Sequence, residues 1–561
     1  MSKAKSTRTE GQGASAQANI ASCLGPVIKE RPDQAAIIFP LKKGYASWTY
    51  KQLGQTIDSY AQVLQEGGVE AGQRVLLGLK NGPDLIACVF ALFKLGAVPV
   101  LLDPGMGREN LLRCIEHVEP QAFIGMRALH LYRLFHRAPF KSVLHNFTAT
   151  EWFPGCINIS KEAASHQGSV PVAAVRPTDM AAILFTSGST GKAKGVVYQH
   201  RIFQEQIKYL RDLFHFKPGE LDLPGYPLFG LFDLALGMTV VLPRLDPSKP
   251  AACDPALLVG SIEEFDITNG QGSPAIWRKV AQYCQDEELS LEPIERVITF
   301  GAPVGLDLLE NLRSVLGEGG EVYTPYGATE SLPVALVSGS FVLDHAAKRT
   351  IEGAGTCVGK PVPGMEVRII KITDQPIEKF SEDLVLPDGE VGEIVAYGPV
   401  VTQEYYREEE ANRLAKIADE RGGKWHRMGD TGYFDNNRDL WFCGRKDHRV
   451  ETPKGTIFPV MVEGMANNHP RVFRSALVGV GERGQQQPVL IVETKPGSLP
   501  EDEKGQEQLK RQILGRYDEN ELYKQIEEVL FLESFPVDPR HNVKIDRQEL
   551  ARWATEELQR K

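Results

Sequence analysis

Apolar positions in the first part of the chain alternate between two periods. Residues 35–39 and 74–79 are short, dense apolar runs that read as buried strands, whereas residues 52–67 repeat their apolar side chains at helical spacing. An amphipathic opening helix is expected from Asn19. The rhythm continues through residues 85–93, 98–102 and 121–124, and strands separated by covering helices predict a mainly parallel sheet. Residues 85–102 are apolar enough to raise the question of a membrane span. Lys94, Gly96 and Pro99 interrupt them, so a helix through Phe93, a turn at Gly96 and a strand to Leu102 is expected, and no span is read. Residues 129–177 follow a weaker pattern and are expected to be loop-rich.

Residues 181–185 and 196–198 are two further apolar strands around a short loop, Thr186-Ser187-Gly188-Ser189-Thr190-Gly191-Lys192-Ala193-Lys194-Gly195. Glycines let backbone N–H groups approach an anion while the hydroxyls and lysines donate to its oxygens, so the loop reads as a phosphate cradle. It is not a Walker A loop: Thr186 stands in place of the first glycine, and Ala193 follows Gly191-Lys192. A flexible Gly/Ser linker has a similar composition but is not normally clamped between apolar strands.

Residues 200–214 carry apolar side chains at helical spacing. His200, at their start, is either a ligand contact or the residue that holds the turn. Residues 226–233 are aromatic and turn-rich, suited to core packing. Strands at 296–300 and 321–324 run into Gly301-Ala302-Pro303 and Tyr326-Gly327-Ala328-Thr329-Glu330. Small residues at strand ends are where open α/β sheets bind ligands, and a carboxylate such as Glu330 suits a hard cation bridging phosphates. Residues 389–396 open a region of shorter strands, consistent with a small barrel-like subdomain, and Asp430 sits in a glycine-flanked turn. After Asp447 the helical and strand runs have the size of a small α+β domain.

Taken together, these motifs resemble the adenylate-forming superfamily, which includes acyl-CoA synthetases, nonribosomal adenylation domains and firefly luciferase. The resemblance covers almost the whole chain from about Asn19. Its phosphate loop is Thr186 to Gly191 followed by Lys194-Gly195, with Ala193 where the family usually has proline. It implies ATP as substrate with Mg²⁺. Thr190 and Lys194 would meet the β- and γ-phosphates, supported by Thr186, Ser187, Gly188, Ser189 and Gly191. Gly301, Ala302 and Pro303 would pack on adenine, and Tyr326 would stack on the base beside Gly327 and Ala328. Thr329 would approach the α-phosphate, Glu330 would hold Mg²⁺, Asp430 would accept the ribose hydroxyls and Arg445 would contact the ribose end. Tyr226, Phe229, Phe232 and Gly272 would line an acyl pocket. Lys544 would be the catalytic lysine, with Val543 in place of the usual glycine; its bland alternative is a surface charge. Asp447 would be a hinge.

The implied fold is α/β: a large N-terminal domain of helix-covered sheets with a barrel-like subdomain (19–446), joined at the hinge to a small α+β C-terminal domain (447–561), after a disordered tail (1–18). Within the superfamily, residues 194–200, 442–451 and 535–545 look like the β-lactone synthetases of bacterial long-chain olefin biosynthesis. That branch implies adenylation of a 2-alkyl-3-hydroxy fatty acid and closure of the 3-hydroxyl onto the activated carbonyl, releasing AMP and pyrophosphate. It also allows a complex with a β-lactone decarboxylase and a short-chain dehydrogenase. An acyl-CoA or carrier-thioester ligase and a nucleotide-binding regulator without turnover stay open. Lys454 stands where thioester-forming relatives commonly place a glycine that admits pantetheine.

Composition narrows this little further. The 561 residues exceed the length of about 250–300 at which single cores stop growing, so at least two domains are expected. A formal charge of −10 gives no reason to propose nucleic acid, and without a basic tract a polybasic membrane contact is unsupported. Eight scattered cysteines without metal-type spacing and an N-terminus lacking an apolar signal core point to a reduced, cytoplasmic protein.

Overall fold

The chain divides into two compact units in a computed structural model, which describes residues 13–186, 192–246, 249–537 and 545–560. Ser187 to Gly191 and Lys544 lie outside the described residues. The first unit comprises Met1–Ser248, Ser261–Gln271 and Thr402–Glu409; the remainder forms the second.

In chain order the first unit's strands are β1 (Ala35–Pro40), β2 (Tyr45–Thr49), β3 (Arg74–Gly78), β4 (Val98–Leu101), β5 (Ala122–Gly125), β6 (His145–Thr148), β7 (Ile157–Asn158), β8 (Met180–Thr186), β9 (Lys194–Gln199), β10 (Leu221–Pro224), β11 (Thr239–Val241) and β12 (Asn269–Gly272). One sheet has the order β7-β6-β5-β3-β4-β8-β9 and is parallel except for the β8–β9 hairpin. In the other, β12, β10, β11 and β1 are parallel, and β2 turns back on β1. Local chemistry sets the covering helices. A Thr49–Gln52 capping box starts the helix Tyr50–Glu66. Pro83 opens Pro83–Leu95, which Gly96 ends at φ +70°, the left-handed conformation that costs glycine least. That helix, turn and strand are the expected reading of residues 85–102. Among the described residues no helix is long and apolar enough to cross a membrane.

Two expectations are corrected. Residues 129–177 are not simply loop-rich: the helix Arg127–Phe135 reaches into them, and β6, β7 and the helix Ile159–Ala163 follow. The elements are too short for periodicity to show them. Residues 15–18 are also ordered, because Ser15 caps the turn Ala16–Ala18 and exchanges backbone hydrogen bonds with Val175.

The second unit continues with β13 (Arg296–Thr299), β14 (Glu321–Ala328), β15 (Ser331–Ser338), β16 (Thr356–Pro361), β17 (Glu366–Ile370), β18 (Gly392–Tyr397), β19 (Lys416–Ala418), β20 (Lys424–Phe434), β21 (Leu440–Arg445), β22 (Val450–Thr452), β23 (Gly455–Ile457), β24 (Val472–Val480), β25 (Gln487–Thr494) and β26 (Glu528–Phe531). Strands β15 to β21 pair antiparallel in the order β17-β18-β20-β21-β16-β15, with β19 on β20, so the short-strand region expected from residue 389 already begins with β15 to β17 before it. In the C-terminal part, β24, β25 and β26 form a sheet buried on both faces. Leu477, Leu490 and Val492 meet Leu509 and Ile513 on one side, while Ala476, Val489 and Ile491 meet Leu550 and Ala554 on the other.

Candidate active site

Three strands of the second unit converge on Asp430. It lies on β20 and is the register partner of Arg445 on β21, so the pairing of two strands sets a carboxylate beside a guanidinium. Arg445 Nη1 donates to Asp430 Oδ1 at 2.7 Å and to the Met428 carbonyl at 3.2 Å. From β14, the Tyr326 hydroxyl donates to Asp430 Oδ2 at 2.7 Å. Gly429 lies within β20 and not in the turn expected around Asp430; it adopts φ +67°, and a Cβ there would stand 3.4 Å from Arg445 Nη2, so glycine fits both the left-handed backbone and the approach of the guanidinium. Burial pushes the Asp430 carboxyl up, with Arg445 and Tyr326 pulling it back. Burial, then the Asp430 charge, drives the Tyr326 phenol well above its ordinary range. The result is a fixed acceptor whose every oxygen already holds one donor and retains a lone pair for a second.

Tyr326, Asp430 and Arg445 are thus brought together. The pentapeptide itself differs from that reading. Tyr326-Gly327-Ala328 do not follow a strand end but continue β14, because β15 pairs back along them, and Thr329-Glu330 form the two-residue tip of the hairpin. Gly301-Ala302-Pro303 do follow β13 in a turn, with Gly301 at φ +92°.

In the first unit, Thr186 and Lys194 are register partners at the base of the β8–β9 hairpin that carries the phosphate loop. The Lys194 ammonium lies 5.2 Å from the centroid of the Tyr405 ring. His200 is settled as the turn-holding residue. It is 1% exposed, its Nδ1 accepts the Ile20 N–H at 3.2 Å, and burial lowers its pKa to about 4, which keeps it neutral.

The aromatic turn after β10 places the rings of Tyr226 and Phe229 5.9 Å apart and those of Phe229 and Phe232 6.0 Å apart, all half-buried; Gly272 ends β12. Sequence reasoning missed what closes this turn. Asp222 on β10 and Asp233 in the helix Gly230–Ala235 are fully buried, and Gln271 Nε2 donates to both, at 3.0 and 3.1 Å. Asp222 Oδ1 and Asp233 Oδ2 have no hydrogen-bond partner among the described residues, and two buried carboxyls this close favour holding a proton between them over carrying two charges. Burial raises Asp222 well above the carboxylate range and Asp233 to about 7. No signal short of the fold brings an aspartate on a strand to one eleven places later on a helix, beside a distant glutamine.

Because the folded pair binds its protons more tightly than a free aspartate, near 3.9, its contribution to stability is greatest at low pH and falls as pH rises toward about 7. Asp233→Asn is therefore expected to flatten the fall of Tm between about pH 4 and about pH 7 relative to the parent protein. Equal slopes for the two proteins in calorimetry across that window would remove the shared proton.

Asp447 is exposed in the turn Lys446–His448. Its neighbours are tied down on both sides. Lys446 Nζ lies 3.2 Å from Glu393, and Arg449 and Arg483 both reach Asp374 at 3.1 Å. Lys454 is exposed at the tip of the β22–β23 hairpin, beside Gly455. Among the described residues no group of three or more histidines, cysteines or acids could hold a metal. Mg²⁺ carried by nucleotide phosphates needs only one or two protein carboxylates and completes its shell with phosphates and water, a demand that Glu330 alone fits.

Comparison with known proteins shows the family and the fold. The AMP-binding enzyme family matches residues 26–406. An olefin beta-lactone synthetase of Stenotrophomonas maltophilia (strain K279a) is 43% identical over 97% of this chain and 99% of its own length. One from Xanthomonas campestris pv. campestris is 42% identical over 96% and 98%. Among solved structures, an amide bond synthetase from Marinactinospora thermotolerans covers 95% of this chain and 99% of its own, with a TM-score of 0.78 at 22% identity. An anthranilate CoA ligase in complex with anthranoyl-AMP covers 99% and 100%, with a TM-score of 0.78 at 18% identity, which shows a shared fold. The chain belongs to the AMP-binding enzyme family and is an ATP-dependent, AMP-forming ligase.

Proposed function

We propose that this protein is a β-lactone synthetase: it adenylates the carboxylate of a 2-alkyl-3-hydroxy fatty acid and closes the 3-hydroxyl onto the activated carbonyl. The observation that carries the reading is the 43% identity, over nearly the whole of both chains, to an olefin beta-lactone synthetase. A carboxylate is a poor electrophile because oxide is a poor leaving group. Its attack on the α-phosphorus of ATP expels pyrophosphate and leaves an acyl-AMP anhydride. The Asp430–Arg445–Tyr326 cluster would hold the ribose, the phosphate loop with Thr190 and Lys194 the phosphates, and Lys544 the crowded charge between carboxylate and α-phosphate. Mg²⁺ at Glu330 would neutralise charge on the phosphates.

In the second step the 3-hydroxyl oxygen attacks the acyl carbon, its proton leaves, and the bond to AMP breaks. A hydroxyl tethered two carbons away has an effective concentration far above that of a free thiol. Counted from Asp447, the exposed Lys454 falls where thioester-forming relatives commonly have glycine, with Gly455 one place on, and a lysine at that position supports an internal nucleophile. The hinge at Asp447 belongs to the same proposal, supported by the separate hydrophobic cores beyond it. A cytoplasmic location is supported by eight free cysteines. A complex with other enzymes of olefin formation, a β-lactone decarboxylase and a short-chain dehydrogenase, is part of the reading through the family resemblance.

The test is a product analysis with a long-chain 2-alkyl-3-hydroxy acid and Mg-ATP, with and without CoA. We expect β-lactone, AMP and pyrophosphate in equal amounts, CoA being neither required nor consumed. Acyl-CoA as the main product would make the protein a thioester ligase, and nucleotide binding without pyrophosphate release would make it a regulator.

A further inference from the structure

Around the helix Arg127–Phe135 the chemistry departs from that of the rest of the surface. In a chain of net charge −10, residues 120–150 contain no Asp or Glu but carry Arg127, Arg133, Arg137 and Lys141. No two of these are adjacent, which is why no basic tract marks them. The acids that bound the segment are both engaged: Glu119 pairs with Arg407, and Glu151 accepts the backbone N–H of Arg127 at 2.6 Å.

The helix is held from beneath. His130 is fully buried, its ring bonded to the Phe147 carbonyl on β6 at 2.8 Å, and Leu129 packs against the sheet core. That anchorage turns Leu131, Leu134 and Phe135, at helical spacings of three and four, to the outside, and Phe135 is 77% exposed. Trp152, 69% exposed, lies in a segment tied to the same helix. Its neighbours on either side both touch the helix, Glu151 at the Arg127 N–H and Phe153 stacked on the His130 ring at 5.5 Å. Exposed side chains of this size grouped on one helix face mark an interaction surface rather than ordinary surface scatter.

We propose that this face docks on an anionic lipid surface. Leu and Phe on the exposed side of a helix, with Trp152 in an adjoining segment and Arg and Lys around them, match the pattern of helices that lie in a membrane interface, and the carboxylate next to Trp152, Glu151, is held by the Arg127 N–H. The apolar side chains enter the boundary between headgroups and acyl chains while the cations meet the lipid phosphates, and a tryptophan with a polar N–H favours that depth. The positive charge is complementary to lipid phosphates and the exposed aromatic and aliphatic side chains beside it suit the acyl boundary, so an anionic lipid surface is the occupant, and a second copy of this acidic chain is an outcome for the test. The inference concerns where the protein sits and does not depend on which acid it activates.

The test is co-sedimentation of the full chain with vesicles of phosphatidylcholine alone and of equal parts phosphatidylcholine and phosphatidylglycerol, without substrate. We expect binding to the anionic vesicles, weakened by salt and much weaker on phosphatidylcholine alone. Trp152 emission should shift to the blue, a change missing from Trp152→Phe. Leu131→Ser with Phe135→Ser is expected to lower partitioning about tenfold, and so is Arg137→Glu with Lys141→Glu, while Tm and pyrophosphate release with a water-soluble acid stay unchanged. The charge-reversal pair lies on exposed side chains and keeps the test valid if the serine pair impairs folding. No binding, equal binding to both vesicle types, or binding indifferent to both pairs would overturn the proposal. So would substitutions that disrupt only self-association or another protein's binding in size-exclusion chromatography.

Discussion

Replacing Lys544 with alanine is expected to reduce pyrophosphate release on the order of 10²–10³-fold or more while leaving thermal unfolding unchanged. The carboxylate and the α-phosphate are both anionic, and the step that joins them needs a cation at their meeting point. A lysine on a terminal segment can supply that charge without supporting a core. Lys544 is followed by Ile545, which bridges to Val537, and by the helix Arg547–Arg560 packed on the C-terminal sheet. Wild-type pyrophosphate release from Lys544→Ala, measured with saturating acid and Mg-ATP, would refute the assignment.

A second large effect is expected away from the chemistry. Arg427 and Glu393 are buried, 3% and 1% exposed at their side chains, and Arg427 donates to both carboxylate oxygens, at 3.0 and 2.6 Å. The same guanidinium donates to the carbonyls of Thr373, Gln375 and Leu414. Arg427→Ala leaves a buried carboxylate without its main partner and takes a donor from three carbonyls, of which that of Thr373 keeps Lys446 Nζ at 3.1 Å, a loss of about 3–5 kcal/mol in denaturant unfolding. Lys446, 3.2 Å from Glu393, retains part of the compensation. Lys446→Ala should therefore cost more in the Arg427→Ala background than alone. Additive losses would show that the two cations act independently. Because Lys446 precedes Asp447, this buried pair also sets the base from which the proposed hinge would turn.

How far the sequence reaches is clearest at Asp430. The glycine-flanked motif marked it and Arg445 as ligand residues, and the fold brings them together with Tyr326. The sequence did not reveal that Tyr326 reaches Asp430 through its hydroxyl, because that contact depends on β14 running on to Ala328 while β15 pairs beside it. The helix Pro83–Leu95 and its Gly96 stop were legible because proline, glycine and apolar spacing act within a few residues. His200 was open between two roles until its neighbours were known, since the same imidazole can bind a ligand or accept a backbone N–H.

What the chain determines locally is therefore the identity of its strands and helices, the loop suited to phosphate, and the residue types that make an adenylating site. Those follow from backbone conformation, hydrogen-bonding capacity and periodicity, which are properties of short stretches. Only the tertiary structure decided which distant side chains share a dielectric. It buried Asp222 against Asp233 around one glutamine, joined Arg427 to Glu393, and gathered scattered arginines and aromatics around one exposed helix. Charge and desolvation act through space, so their outcome is fixed by the packing of strands rather than by their order.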